Sequence, residues 1–238
     1  MKQHWSDTRL SKKEMDFLWT TISEDNKENR SNHLVGNISK SELITDKDNW
    51  FYESTLKKLT ERMFYRNYTD YYEDYIEKKE PLIPKFKLEK MWVNYQKQHE
   101  FNPLHHHDGL FSFVIFVKIP THWKEQHALP FSAHSNEPCA SNFQFVWWSG
   151  IESERCMIEN IRLCSEDEGR MLFFPSFLSH QVYPFYECEE ERITISGNVI
   201  EIEQLSGDEY EEKKKTISKL EEAVKFMKED LKWMSKNR

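Results

Sequence analysis

From about residue 91 to residue 202 the chain is a succession of short runs rich in aromatic and β-branched residues. MWVNYQ, LFSFVIFVKIP, NFQFVWW, RCMIENIRL, GRMLFFPSF, HQVYPFY and RITISGNVIEIE follow one another, most of them separated by turn residues. Runs of this length and composition suit pleated, half-buried surfaces better than helices. Several in a row predict a β-sandwich or barrel. The stretch 121–142, THWKEQHALPFSAHSNEPCASN, reads as an irregular insertion between two strands.

Helical patterns flank this region. Ser11 and Glu14 fit a capping box, and Met15, Leu18, Trp19 and Ile22 then recur on one helical face. A second helix is expected from about Asn49 to about Ile76. Leu56, Leu59 and Met63 set its period, and Phe64, Tyr68, Tyr71 and Tyr75 extend it. The prolines of 81-PLIPKFKLEK-90 mark a boundary. Near the end, Ile217, Leu220, Val224, Met227, Leu231 and Met234 form a heptad stripe, suited to packing on the β region or to a homodimer seam. The expected organisation is α+β: an N-terminal helical region over 1–87, a β domain over 88–202 and a C-terminal helix over 210–236.

Hydrophobic residues make up only 38% of the 238, but eight Trp, ten Tyr and sixteen Phe can supply the area of a sizeable core. A net charge of −8 disfavours nucleic acid as a partner. The cysteines, at 139, 156, 164 and 188, show no CxxC spacing and read as reduced thiols of a cytoplasmic protein. There is neither a signal-peptide core at the N-terminus nor an 18-residue apolar run, so no membrane association is expected.

The chemistry concentrates in 102-NPLHHHDG-109. Residues i and i+2 of a strand share a side, so either His105 with His107 or His106 with Asp108 can offer two adjacent ligands to one metal. The third candidate is His180, in 171-MLFFPSFLSHQVYPF-185, beyond a tight turn at Pro175-Ser176. His4, His33, His99, His122, His127 and His134 lie in segments that read as exposed loops or polar helix flanks.

Twelve residues after His180, Arg192 opens a strand in which Arg192, Thr194 and Ser196 alternate with Ile193 and Ile195. An arginine facing an apolar interior is costly unless an anion meets it, and a guanidinium grips a carboxylate bidentately. The competing reading pairs Arg192 with the acidic run ECEEE just before it. Two ligands, a long gap, His and then Arg is an order suited to a facial triad. A 2-oxo acid can chelate the metal of such a site through its keto oxygen and C1 carboxylate, with Arg192 on the far carboxylate. Asn94 and Gln96 share a side with Trp92 and are candidates to line the same pocket.

The stretches LVGNIS, EFNPLHHHDGLFSFVIFVKIP, GRMLFFPSFLSHQVYPFY and RITISGNV resemble iron(II)/2-oxoglutarate oxygenases of marine phages and bacteria, distant relatives of prolyl 4-hydroxylases. The resemblance spans roughly residues 34–200. It implies a double-stranded β-helix, or jelly roll, with iron on its inner face. It favours His105, His107 and His180 as ligands over the His106/Asp108 register, and Arg192, helped by Thr194 and Asn94, as the cosubstrate site. It implies Fe(II) and 2-oxoglutarate, with ascorbate as an aid, and a host-cytoplasmic location if the chain is phage-encoded. By analogy the substrate is a small molecule or a peptide, such as a prolyl or other amino-acid side chain. The alternative classes are a cupin-like protein that binds a small acid or sugar without oxidising it, and a metal-free interaction module.

Overall fold

The computed structural model describes residues 4–24, 28–29, 35–67, 84–148, 155–204 and Lys215. They fall in two compact units. One comprises residues 1–63 and 87–200, and the other residues 64–86 and 201–238. In the smaller unit the rings of Phe64 and Phe86 pack 5.2 Å apart. Everything below concerns the larger unit.

Two antiparallel sheets dominate it. Strands β1 (Ser6–Arg9), β2 (Lys40–Ile44), β3 (Pro84–Gln96), β4 (Asn102–His105), β5 (Phe111–Lys118), β6 (Phe143–Trp148), β7 (Cys156–Ile161), β8 (Arg170–Pro175), β9 (Ser179–Val182) and β10 (Arg192–Gln204) follow in chain order. The six-stranded sheet is ordered β1-β8-β5-β10-β3-β2 and the four-stranded sheet β4-β9-β6-β7. With α1 (Lys12–Ser23), α2 (Lys57–Asn67) and the short α3 (Trp123–Ala128), the architecture is α+β with few helices.

The core lies between the sheets. Val114, Phe116, Leu172 and Phe174 of the larger sheet pack with Phe143, Phe145 and Ile161 of the smaller one. The Phe145 and Phe174 rings stand 5.0 Å apart, edge to face. Strand β5 is buried at every position from Phe111 to Val117, because both of its faces are covered. Phe113, on the face away from the smaller sheet, lies 6.1 Å from Phe51 of the N-terminal segment.

Several sequence expectations change here. The region 1–87 is not purely helical: β1 pairs with β8 and β2 with β3. β1 is a four-residue edge strand, SDTR, whose polar side chains carry no apolar alternation to betray it. The second helix is preceded by a 3-10 turn at Lys47–Asn49, with Asp48 and Asn49 at positive φ, and by a π turn at Tyr52–Leu56. That turn shifts the phase of the apolar face. Tyr68, Tyr71, Tyr75 and the whole 210–236 stripe lie outside the described residues. α1 matches its expectation, with the Ser11/Glu14 box formed and Leu18 and Ile22 buried.

The insertion is partly helical: α3 begins at Trp123, capped by the imidazole of His122, which accepts the Lys124 N–H at 3.1 Å. No helix among the described residues is long and apolar enough to cross a membrane.

Candidate metal centre

Strand β4 ends at His105, and His105 pairs directly with His180 on β9, with a bulge between Asn102 and His105. His107 lies just past the strand end, where its backbone N–H donates to Ser176 O at 2.9 Å. The turn after β8 therefore fixes the loop that carries one histidine and leads straight into the strand that carries another. The result is a cluster in which one ligating nitrogen from each of His105, His107 and His180 lies within 4.8 Å of the others. Ring centroids are 4.3 Å apart for His105 and His180, and 5.0 Å apart for each of them with His107. His106 and Asp108 are exposed and fall outside this cluster.

The tautomers are set by the backbone. His105 Nδ1 lies 2.7 Å from Pro103 O, and His180 Nδ1 lies 3.0 Å from Leu178 O. A carbonyl only accepts, so each Nδ1 carries the proton and each Nε2 keeps its lone pair. This is how proteins orient imidazole ligands for a metal. Burial, reinforced by the neighbouring His105 and His107, holds the His180 imidazole well below the usual histidine range. Burial also lowers His105, against the opposing bond to Pro103. Both rings are thus kept neutral, the form that binds a cation.

The cluster opens into a cavity of about 90 Å³, lined also by Trp92, Asn94, Gln96, Arg192, Thr194 and Ser196. A single water needs only ~10–15 Å³, so the cavity has room for a small molecule. The alternation along β10 sends its three polar side chains into this space. Arg192 is fully buried, at 0% exposure. One terminal nitrogen donates to the backbone oxygen of Ser141 at 3.0 Å and to the Ser141 hydroxyl, and the guanidinium sits 5.0 Å over the Phe185 ring. Among the described residues its Nε has no partner and no carboxylate pairs with it. Burial alone pulls its pKa down to about 10, so it stays charged at neutral pH. The acidic run is engaged elsewhere: Glu190 pairs with Lys118 at 2.7 Å and Glu189 accepts from Gln98.

Asn94 is buried at the cavity wall and accepts from Ser41 Oγ at 2.8 Å. Thr194 is half-buried there. Sequence reasoning missed Ser141, the main partner of Arg192. It lies at the end of the insertion, at φ 72°, with its N–H bonded to Pro184 O at 2.8 Å. A left-handed serine leaves no mark in a sequence. His127 was expected to be exposed but is buried, its Nε2 3.1 Å from Asn142 Oδ1. Its position on the inner side of α3 explains the difference.

Residues 90–198 match a family model described as "Putative 2OG-Fe(II) oxygenase". This stretch is therefore similar to the 2OG-Fe(II) oxygenases. These oxidoreductases use Fe(II) and 2-oxoglutarate. Among solved structures, the chain is similar to an oxidoreductase of the 2OG-Fe(II) oxygenase family from Burkholderia pseudomallei. The TM-score is 0.53 at 9% identity, over 85% of this chain and 88% of that one. That likeness concerns the fold. A prolyl-4-hydroxylase from Pseudomonas putida follows, with a TM-score of 0.49 at 12% identity, over 82% of this chain and 92% of that one. No curated protein matches the sequence.

Proposed function

We propose that this chain is an iron(II)- and 2-oxoglutarate-dependent hydroxylase, built on a double-stranded β-helix whose two sheets hold the site between them. The observation that carries this reading is Arg192: a charged, fully buried guanidinium that, among the described residues, has no partner for its Nε and no carboxylate to meet it, and that opens onto the same cavity as the three imidazoles. A buried cation of that kind calls for an anion. A doubly negative oxo acid meets both needs, one end at the imidazole cluster and the other at Arg192.

On this reading His105, His107 and His180 hold the iron through Nε2. Arg192 binds the C5 carboxylate of 2-oxoglutarate, with Thr194 and Asn94 lining the same pocket. Together iron(II) and 2-oxoglutarate supply the electrons that activate dioxygen, the oxo acid being converted to succinate and carbon dioxide. The chain's own part is to position and to exclude water. Phe143, Phe145 and Phe174 surround His180, the first stacked at 5.5 Å, and keep the inner side of the cluster dry. The substrate that receives the oxygen atom is an aliphatic carbon of a small molecule or peptide presented at the imidazole end.

The test needs no knowledge of that substrate. Iron-loaded protein with 2-oxoglutarate and ascorbate is expected to form succinate slowly in air, and to show a visible iron-to-oxo-acid charge-transfer band under argon. Fully metallated protein that shows neither would overturn the reading.

Ser141 sharpens it. Ser141→Ala removes one hydrogen bond to a buried charge, worth about 1.5–3 kcal/mol, and the retained carbonyl holds the effect near the lower limit. KM for 2-oxoglutarate should rise roughly tenfold with kcat little changed. A fall in kcat at constant KM would show that Ser141 does not act through the cosubstrate.

A further inference from the structure

A second group of ligand-type side chains lies away from the three-histidine cluster. His122, Cys164 and Glu166 each offer one donor atom, and these atoms lie within 4.8 Å of one another. They come from two loops some forty residues apart: His122 precedes α3, while Cys164 and Glu166 belong to the connection between β7 and β8. The two loops are held in register by the backbone, since the Trp123 N–H donates to Leu163 O at 3.0 Å. The juxtaposition of imidazole and thiol is therefore built into the fold rather than left to flexible side chains.

We propose that His122, Cys164 and Glu166 form a second metal site, for a borderline-soft divalent ion of the zinc(II) type. A nitrogen, a sulfur and an oxygen donor make a set that suits zinc, with a fourth position for water. Ligand atoms around a tetrahedral zinc stand about 3.4 Å apart, given bond lengths of ~2.0–2.3 Å. The observed spread closes to that with modest movement of Glu166, which is exposed.

The charges also balance. The ion displaces the thiol proton to solvent, and a thiolate with one carboxylate neutralises two positive charges. Without an ion the thiol is poorly placed to ionise. Burial, then the Glu166 and Asp167 carboxylates, push Cys164 up to about 11. Its Sγ donates to Asp167 Oδ2 at 3.4 Å, and that carboxylate is also bound to Arg170. A divalent cation reverses this balance.

His122 gives up something in exchange. Coordination at Nδ1 replaces its bond from the Lys124 N–H, and coordination at Nε2 moves the ring proton to Nδ1 and ends that bond too. The ion would clamp the start of the insertion to the β7–β8 connection. The same insertion ends at Ser141, which holds Arg192.

Cobalt(II) titration of the untagged, full-length protein under argon tests this, because only a sulfur ligand gives a thiolate-to-cobalt charge-transfer band in the near ultraviolet. The protein should take up two equivalents, one of them with that band. Cys164→Ser should lose the band and keep one equivalent, His107→Ala should keep the band, and His122→Ala should weaken cobalt uptake at the band at least tenfold. Absence of the band from the unmutated protein, or its survival in Cys164→Ser, overturns the proposal.

Discussion

Replacing Arg192 by methionine should weaken 2-oxoglutarate binding by a few orders of magnitude while leaving the cosubstrate-free protein as stable as before, or more so. The two halves of this result have one cause. Among the described residues no carboxylate meets the buried Arg192, and its Nε makes no hydrogen bond. Burying a charge in that way works against folding, and an apolar side chain of similar length removes the cost. Once the cosubstrate's far carboxylate is present, the same guanidinium becomes half of a desolvated ion pair. Truncating one member of such a pair costs about 2–5 kcal/mol, roughly thirtyfold to several-thousandfold in affinity. Calorimetry of oxo-acid binding, with thermal melts of the cosubstrate-free protein, reads both quantities. A methionine variant that binds 2-oxoglutarate normally would show that the buried charge serves something else.

The second large effect concerns His180. It is 4% exposed, with its ring among Phe143, Phe145 and Phe174. His180→Ala would mix two losses, a metal ligand and a filled volume, and the cavity alone costs about 2–5 kcal/mol. His180→Phe keeps the volume and the aromatic packing. It is expected to retain the fold and to lose iron(II) affinity by more than ~100-fold, since even outer partners of metal ligands are worth 10–100-fold. Succinate formation should fall to background. The melting temperature of the unmutated protein should drop on addition of a chelator, and that of the phenylalanine variant should not move, because a ligand stabilises only the state that binds it. Iron bound normally by His180→Phe would remove this residue from the metal site.

Legibility differed between parts of the molecule for physical reasons. The strands of 91–202 were readable because each is short, apolar and bounded by turns. Asp7 and Thr8 were not readable as part of a strand, since an edge strand that faces solvent has no apolar face to alternate. Among the site residues, Arg192 and Thr194 could be placed on one side of β10 from period two alone. In HHHD, by contrast, periodicity allowed two ligand pairs. The pairing of His105 with His180 across β4 and β9, with His107 held by Ser176, is what brings His105 and His107, and not His106 and Asp108, to His180. Ser141 and the orphaned Nε depend on tertiary approach and on a left-handed φ, neither of which has a sequence signature.

Because His105 and His180 face each other as partners across two neighbouring strands, the spacing of their backbones is a property of the ladder. A strand slipped by one position turns every side chain to the opposite face. If His105 and His180 hold iron as proposed, a chain slipped at β4 or β9 would lose a ligand outright rather than bind the metal weakly. On the proposed function, metal uptake would thus report on strand alignment before any substrate arrives.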